Sequence, residues 1–285
     1  MKKMRLLNFI PLLMAVPSII IGAVAMYTNK VPIAIFGQNI FYLIIAELIS
    51  YFILLKKSKV KNNASTNNST TIIVAVMLLF LTFISSGIEG VHRWVSVGPI
   101  KFYVAVIVLP IIIIDLWKLL QMREWWFSAA ITIVISILLT LQPDASMLTA
   151  FAIPMIMLLW NKINDNIFRS CIVVLLSALI IISWVFLDGL PPVSYVENIV
   201  SLVANMGTIW LSLGVISLVI LPLPFIFYSS KKYKLLSVSI GMYFIIILIS
   251  TIFGNFPVPL MGYGVSRIIG YFISITWLAK SKINS

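Results

Sequence analysis

The chain has 285 residues, of which 61% are hydrophobic and only 10% charged; this excludes a water-soluble domain, because no single core hides that much apolar surface. The formal net charge of +12 does not imply a nucleic-acid partner, since Lys and Arg fall in short clusters between apolar runs, where they set membrane topology. The single cysteine, Cys171, excludes an internal disulfide and a thiol metal cluster.

A helix needs about 20 apolar residues to cross a bilayer core of roughly 30 Å, and runs that are continuous rather than alternating exclude a barrel. The expected fold class is all-α: a polytopic integral membrane protein with about ten transmembrane helices in one membrane-embedded domain. Residues 1–27 begin with Lys2, Lys3 and Arg5 and run on as a retained first helix, although Ala23-Val24-Ala25 matches a leader-cleavage pattern. A second span covers residues 33–55. It ends in Lys56, Lys57, Lys59 and Lys61, and the polar tract 62–70 after it is expected to be a solvated loop. The glycosylation-type matches at Asn63, Asn67 and Asn68 follow from composition, because the lysines place that loop in the cytoplasm. Further spans are expected at 71–86, 102–117, 127–141, 148–160, 171–187, 208–228, 235–254 and 268–279, with Trp125 and Trp126 as interfacial anchors.

With both termini cytoplasmic, 16 of the 20 Lys and Arg fall inside, and only Lys30, Arg93, Lys101 and Arg267 fall outside. That bias fixes the expected orientation. It places three polar and aromatic islands on the outer surface: Gly90-Val-His-Arg-Trp-Val-Ser-Val-Gly-Pro99, Gln142-Pro-Asp144 and Pro257-Val-Pro-Leu-Met-Gly-Tyr-Gly264. Glu89, Asp188 and Glu197 share that side. Within the spans, Glu47 is expected to face the bundle interior and find a partner, since an unpaired carboxylate in a membrane is costly. Asp115 is expected to pair with Lys118 near the cytoplasmic end.

The three islands, in this order and on a ten-span layout, resemble the FtsW/RodA/SpoVE (SEDS) family of cell-division, cell-shape and sporulation proteins. The resemblance implies a multi-pass protein of the bacterial cytoplasmic membrane. It implies a peptidoglycan glycosyltransferase that joins lipid II units into glycan strands at the extracytoplasmic face, working with a single-pass transpeptidase, a penicillin-binding protein. The family places a catalytic Asp in a motif like His-Thr-Asp-Phe-Ile-Phe-Ala in a long outer loop. Here Tyr195-Val-Glu-Asn-Ile-Val-Ser-Leu-Val-Ala204 is similar, with Glu197 at the acidic position and a shorter loop. After Gly98-Pro99 the family continues to a Gln-Pro-Ser-Glu element, whereas this chain reads Tyr103-Val-Ala-Val106. In the last island Leu260, Gly262 and Val265 replace the family's Phe, Ser and Gly, while Pro259, Tyr263, Gly264 and Ser266 remain.

Such a reaction needs a base to take the acceptor hydroxyl's proton and cations to stabilise the departing pyrophosphate. Glu197 is the expected base, with Asp188 as the alternative. Arg93 and Arg267, the only outer arginines, are the expected pyrophosphate ligands, because a guanidinium fork matches phosphate oxygens. The same residues read equally well as an interfacial anchor and a helix-flanking charge. Mg or Mn would be the divalent cation, with no metal ligands assignable. His92, Trp94, Asp144, Tyr263 and Ser266 are expected to shape the site, and Asp144 also suits the N-cap of the sixth helix. Two other classes stay open: a non-catalytic relative that scaffolds a cell-wall synthase, and a small-molecule or lipid transporter coupled through Glu47.

Overall fold

The computed structural model describes residues 9–56, 64–85, 87–98 and 100–283. Lys2, Lys3, Arg5, Lys57, Lys59, Lys61, Asn63 and Pro99 lie outside the described residues. The helices in chain order are α1 (Ile10–Leu13), α2 (Val16–Thr28), α3 (Ile33–Leu55), α4 (Ala64–Ile84), α5 (Val104–Met122), α6 (Trp125–Leu141) and α7 (Ala145–Lys162). There follow α8 (Asn166–Val185), α9 (Ile199–Asn205), α10 (Thr208–Ile220), α11 (Leu223–Phe227), α12 (Lys234–Phe253) and α13 (Val265–Ile283). A hairpin, β1 (Trp94–Val97) and β2 (Ile100–Tyr103), precedes α5.

Among the described residues seven helical segments are long and apolar enough to cross a membrane: Ile10–Thr28, Ile33–Leu55, Val104–Met122, Ala145–Lys162, Asn166–Val185, Thr208–Phe227 and Lys231–Phe253. Two shorter apolar helices, Thr70–Ile84 and Trp125–Leu141, and the more polar but buried α13 coincide with the remaining expected crossings. The chain is thus an all-α, polytopic membrane protein. Pro222, which lacks an N–H for the ladder, separates α10 from α11 within one crossing. Some buried hydroxyls in the spans return their hydrogen to their own helix, as Thr132 does to Ser128 O (2.7 Å) and Ser250 to Ile246 O (2.8 Å), and others reach a neighbouring helix, as Ser18 does to Ser217 O (2.9 Å). The hydroxyls of Ser136, Ser146 and Ser183 are buried without a hydrogen-bond partner among the described residues.

Several boundaries differ from expectation. The tract expected as a loop through residue 70 is helical from Ala64. The sixth crossing starts at Ala145, because the Asp144 side chain accepts from Met147 N (3.3 Å) and caps it. The seventh starts at Asn166, where Asp165 accepts from Ile167 N (2.7 Å). Asp115 does pair with Lys118 (2.6 Å). Glu47 does not find the partner expected of it: one carboxylate oxygen is buried with no hydrogen bond among the described residues, beside Phe9, Ile44 and Tyr51.

The chain groups into two compact units, residues 1–59 with 191–285, and residues 60–190. In the first unit α3 packs on α13 and on α2, and α2 also meets α9 and α10. Gly22 on α2 makes a close approach possible: a Cβ there would lie 2.0 Å from the Met261 carbonyl oxygen. Gly22→Ala is expected to lower the thermal unfolding temperature of the detergent-solubilised protein, at a cost of about 1–3 kcal/mol from overpacking. Gly189→Ala is the control, since its added methyl meets nothing within 4 Å. In the second unit α4 packs on α5, and α5 through α8 pack on one another.

Candidate functional site

The site residues expected from the sequence fall into two groups, one in each unit. In the unit of residues 60–190 the first island folds as two successive tight turns. Ile88 and Val91 exchange backbone hydrogen bonds (3.1 and 2.9 Å) around Glu89 and Gly90, both at positive φ, the geometry of a type I′ turn. The hairpin β1–β2 then pairs Trp94 with Tyr103 and Val97 with Ile100, and Gly98, at φ +59, supplies the left-handed residue its turn requires.

Arg93 lies between these turns and is 4% exposed. Its guanidinium donates to the Pro143 carbonyl, to Asp188 Oδ2 and, from Nε, to Gln142 O at 3.4 Å; Nε also lies 3.8 Å from Asp144 Oδ2. Tyr103 donates its hydroxyl to the same Asp144 oxygen. Gln142 ties the cluster to α4 through Thr82 Oγ1 (2.7 Å) and Leu79 O (3.3 Å), and Asp188 receives Leu190 N at 3.1 Å. One arginine therefore joins the hairpin, the α6–α7 turn and the exit of α8. Burial works against the Arg93 charge, but Asp144, Tyr103 and Asp188 outweigh it and hold its pKa above the ordinary value. Burial pushes the Asp144 carboxyl up, against the opposing pull of Arg93 and the Tyr103 hydroxyl. His92 donates from Nδ1 to Ser85 O (2.9 Å) and stacks on Phe83, while the Trp94 ring stands 6.0 Å from that of Tyr103.

In the other unit the last island folds against the segment that carries Glu197. Tyr195 O accepts from Tyr263 N (2.9 Å) and Val196 O from Val258 N (3.2 Å). Asn39, buried on α3, clamps the island from below: its Nδ2 donates to Gly262 O (3.1 Å) and its Oδ1 accepts from Gly264 N (3.2 Å). Tyr263 donates its hydroxyl to Gln38 Oε1 (2.9 Å), and burial, with Tyr195 and Tyr42 nearby, pushes its pKa up. Arg267, 8% exposed, donates to Tyr263 O (3.2 Å), and Ser266 beside it is buried. Glu197 sits half-buried in the turn before α9, where its Oε2 accepts from Val193 N at 2.8 Å.

The structure thus brings Arg93 to Asp144 and Asp188, and places Glu197 with Tyr195 beside Tyr263. Three contributors were not singled out from the sequence: Tyr103, Gln38 and Asn39. Two amides in succession inside an apolar span were the available signal for the latter pair, since polar groups at that depth are kept for specific partners. The described residues include no group of three or more His, Cys, Asp and Glu able to hold a metal, and Arg93 occupies the space between the two carboxylates that approach one another. No ready-made site of several protein ligands for a divalent cation is therefore present among the described residues.

Ordered polar loops held on membrane-crossing helices in each unit define the class: a polytopic α-helical membrane protein whose extramembrane segments are built rather than merely connecting. No protein-family model matches the sequence, and no curated protein matches it. Its fold is similar to the crystal structure of rod shape determining protein RodA from Thermus thermophilus, with a TM-score of 0.69, 15% identity and 96% of each chain covered. An aspartate-to-alanine mutant of that protein aligns over the same shares of both chains, with a TM-score of 0.68 and 15% identity.

Proposed function

We propose that the chain is a RodA-like, SEDS-type protein of peptidoglycan synthesis in the bacterial cytoplasmic membrane, and that it polymerises lipid II at the extracytoplasmic face. The observation that carries this reading is the RodA-like fold over 96% of both chains, together with a carboxylate, Glu197, held in an ordered outer segment. In this reading the Glu197 carboxylate takes the proton of the acceptor sugar hydroxyl, and Val193 N–H holds Oε2 in place. Asp188 is the less suited base, because Arg93 already engages it. Arg267, just after the island that meets Tyr195, serves the pyrophosphate by turning from the protein oxygen it engages. A divalent cation, Mg or Mn, arrives with the pyrophosphate of the substrate.

A second reading is favoured by one observation: both outer arginines are buried and donate to protein oxygens. On it, the chain scaffolds a single-pass transpeptidase without polymerising. Expression in bacterial cells depleted of their own RodA-type polymerase separates the two. Restored growth and shape support the polymerase. A chain that captures a transpeptidase from those membranes but restores no growth supports the scaffold.

A further inference from the structure

Between α3 and α13 runs a groove of about 660 Å³, lined by Tyr42, Ile45, Ile49, Ile53, Phe272 and Ile273 among others. That volume lies within the roughly 300–1,000 Å³ of ligand sites. Its wall is almost wholly apolar. The one polar pair along it, Thr276 and Ser50, is closed on itself by a hydrogen bond of 2.7 Å. No carboxylate lines it, since Glu47 faces a different pocket with Phe9, Leu12 and Tyr51.

One end of the groove has a different chemistry. Lys280 and Trp277 line it there, and Lys280 Nζ donates to the carbonyls of Ile53 and Lys56 at the end of α3. Two of its three N–H groups are used; the third, and the Trp277 indole N–H, make no hydrogen bond among the described residues. Lys56 adds a second ammonium at the same end. Lys282 lies over the Tyr228 ring at 5.4 Å nearby. An apolar slot open to the bilayer, with cations and unpaired donors at its headgroup end only, matches a molecule with a long apolar chain and one anionic oxygen-rich head.

We propose that this groove seats one anionic phospholipid, with an acyl chain along Ile49 and Ile273 and the phosphate against Lys280 and Trp277. Charge complementarity selects the occupant. A second copy of this chain, or a partner helix, would bring no compensating anion unless it carried an acid at that one level.

The full chain, purified in mild detergent and exchanged into micelles doped equally with phosphatidylglycerol and phosphatidylcholine, tests this by native mass spectrometry. Wild type is expected to retain phosphatidylglycerol about fivefold over phosphatidylcholine, the factor that one lysine contributes toward an anionic lipid. Lys280→Gln lowers the ratio severalfold, leaving only what Lys56 contributes, and Ile49→Trp, which fills the slot, reduces retention of both lipids. Lys232→Gln, over the Tyr233 ring rather than in the groove, leaves the ratio unchanged. Raising ionic strength lowers the wild-type ratio without any substitution that could disturb folding. Equal retention by wild type, a preference unmoved by Lys280→Gln or by salt, or lipid-free dimers would each overturn the proposal.

Discussion

Glu197→Ala is expected to lower lipid II polymerisation by at least about 100-fold, the low end of what a positioned general base contributes, while the folded fraction stays nearly the same. The stability term is small because Glu197 is only half-buried and its bond to Val193 N closes a local turn; a bond of that kind is worth about 1 kcal/mol. Glu197→Gln separates chemistry from structure. Its amide oxygen still accepts from Val193 N–H but takes no proton, so the turn persists and the rate falls as it does for alanine. Initial rates measured beside thermal unfolding of the same preparations check both halves. A Gln variant with wild-type rate removes the role of Glu197 and leaves Asp188 as the carboxylate to test next.

Arg93→Ala is expected to have the opposite profile, with loss of fold first and of activity only in consequence. Removing one partner of a buried ion pair costs about 3–5 kcal/mol, because the remaining charge is left in a medium that cannot solvate it. Asp144, fully buried, would be that charge, and the hairpin would lose its link to Pro143 and Asp188. A drop on the order of 10 °C in apparent unfolding temperature follows. Arg93→Lys does not restore it, because one ammonium cannot hold the Gln142 and Pro143 carbonyls and the Asp188 carboxylate in the geometry of a guanidinium fork. Arg93→Ala combined with Asp144→Asn recovers part of the loss by removing the stranded charge. The pH dependence has a fixed sign. Asp144 already titrates above its ordinary 3.8, and loss of Arg93 moves it further up. The folded variant then keeps a proton that the unfolded chain has released, so its stability falls as pH rises above 3.8. The deficit relative to wild type is widest near neutral pH and shrinks on acidification.

The ten apolar runs and their lysine punctuation made the membrane architecture legible, since a span needs only length and apolarity. Helix starts were less legible. Ala64-Ser-Thr-Asn-Asn-Ser-Thr70 carries the composition of a loop, yet it forms the first turns of α4, against its local preference. The hairpin had a signal in the sequence, Trp-Val-Ser-Val and Ile-Lys-Phe-Tyr two residues apart with Gly98 between them, but the run of aromatic and polar residues looked like a surface island. For the site, the sequence located Arg93, Asp144, Asp188, Glu197 and Arg267 without saying which belong together. Arg93 and Asp188 are 95 positions apart, and nothing in either neighbourhood encodes their contact. Nor does composition tell a solvent-facing arginine from one closed by protein oxygens. Burial does: Arg93 and Arg267 are both buried and donate to protein oxygens.

The central claim is best tested by incubating the purified wild-type chain, without any other polymerase, with lipid II and either Mg or Mn, and resolving the products by size. A polymerase yields a ladder of glycan strands that lengthens with time as lipid II is consumed. Intact lipid II with no ladder, from protein that unfolds cooperatively in the same buffer, would contradict it.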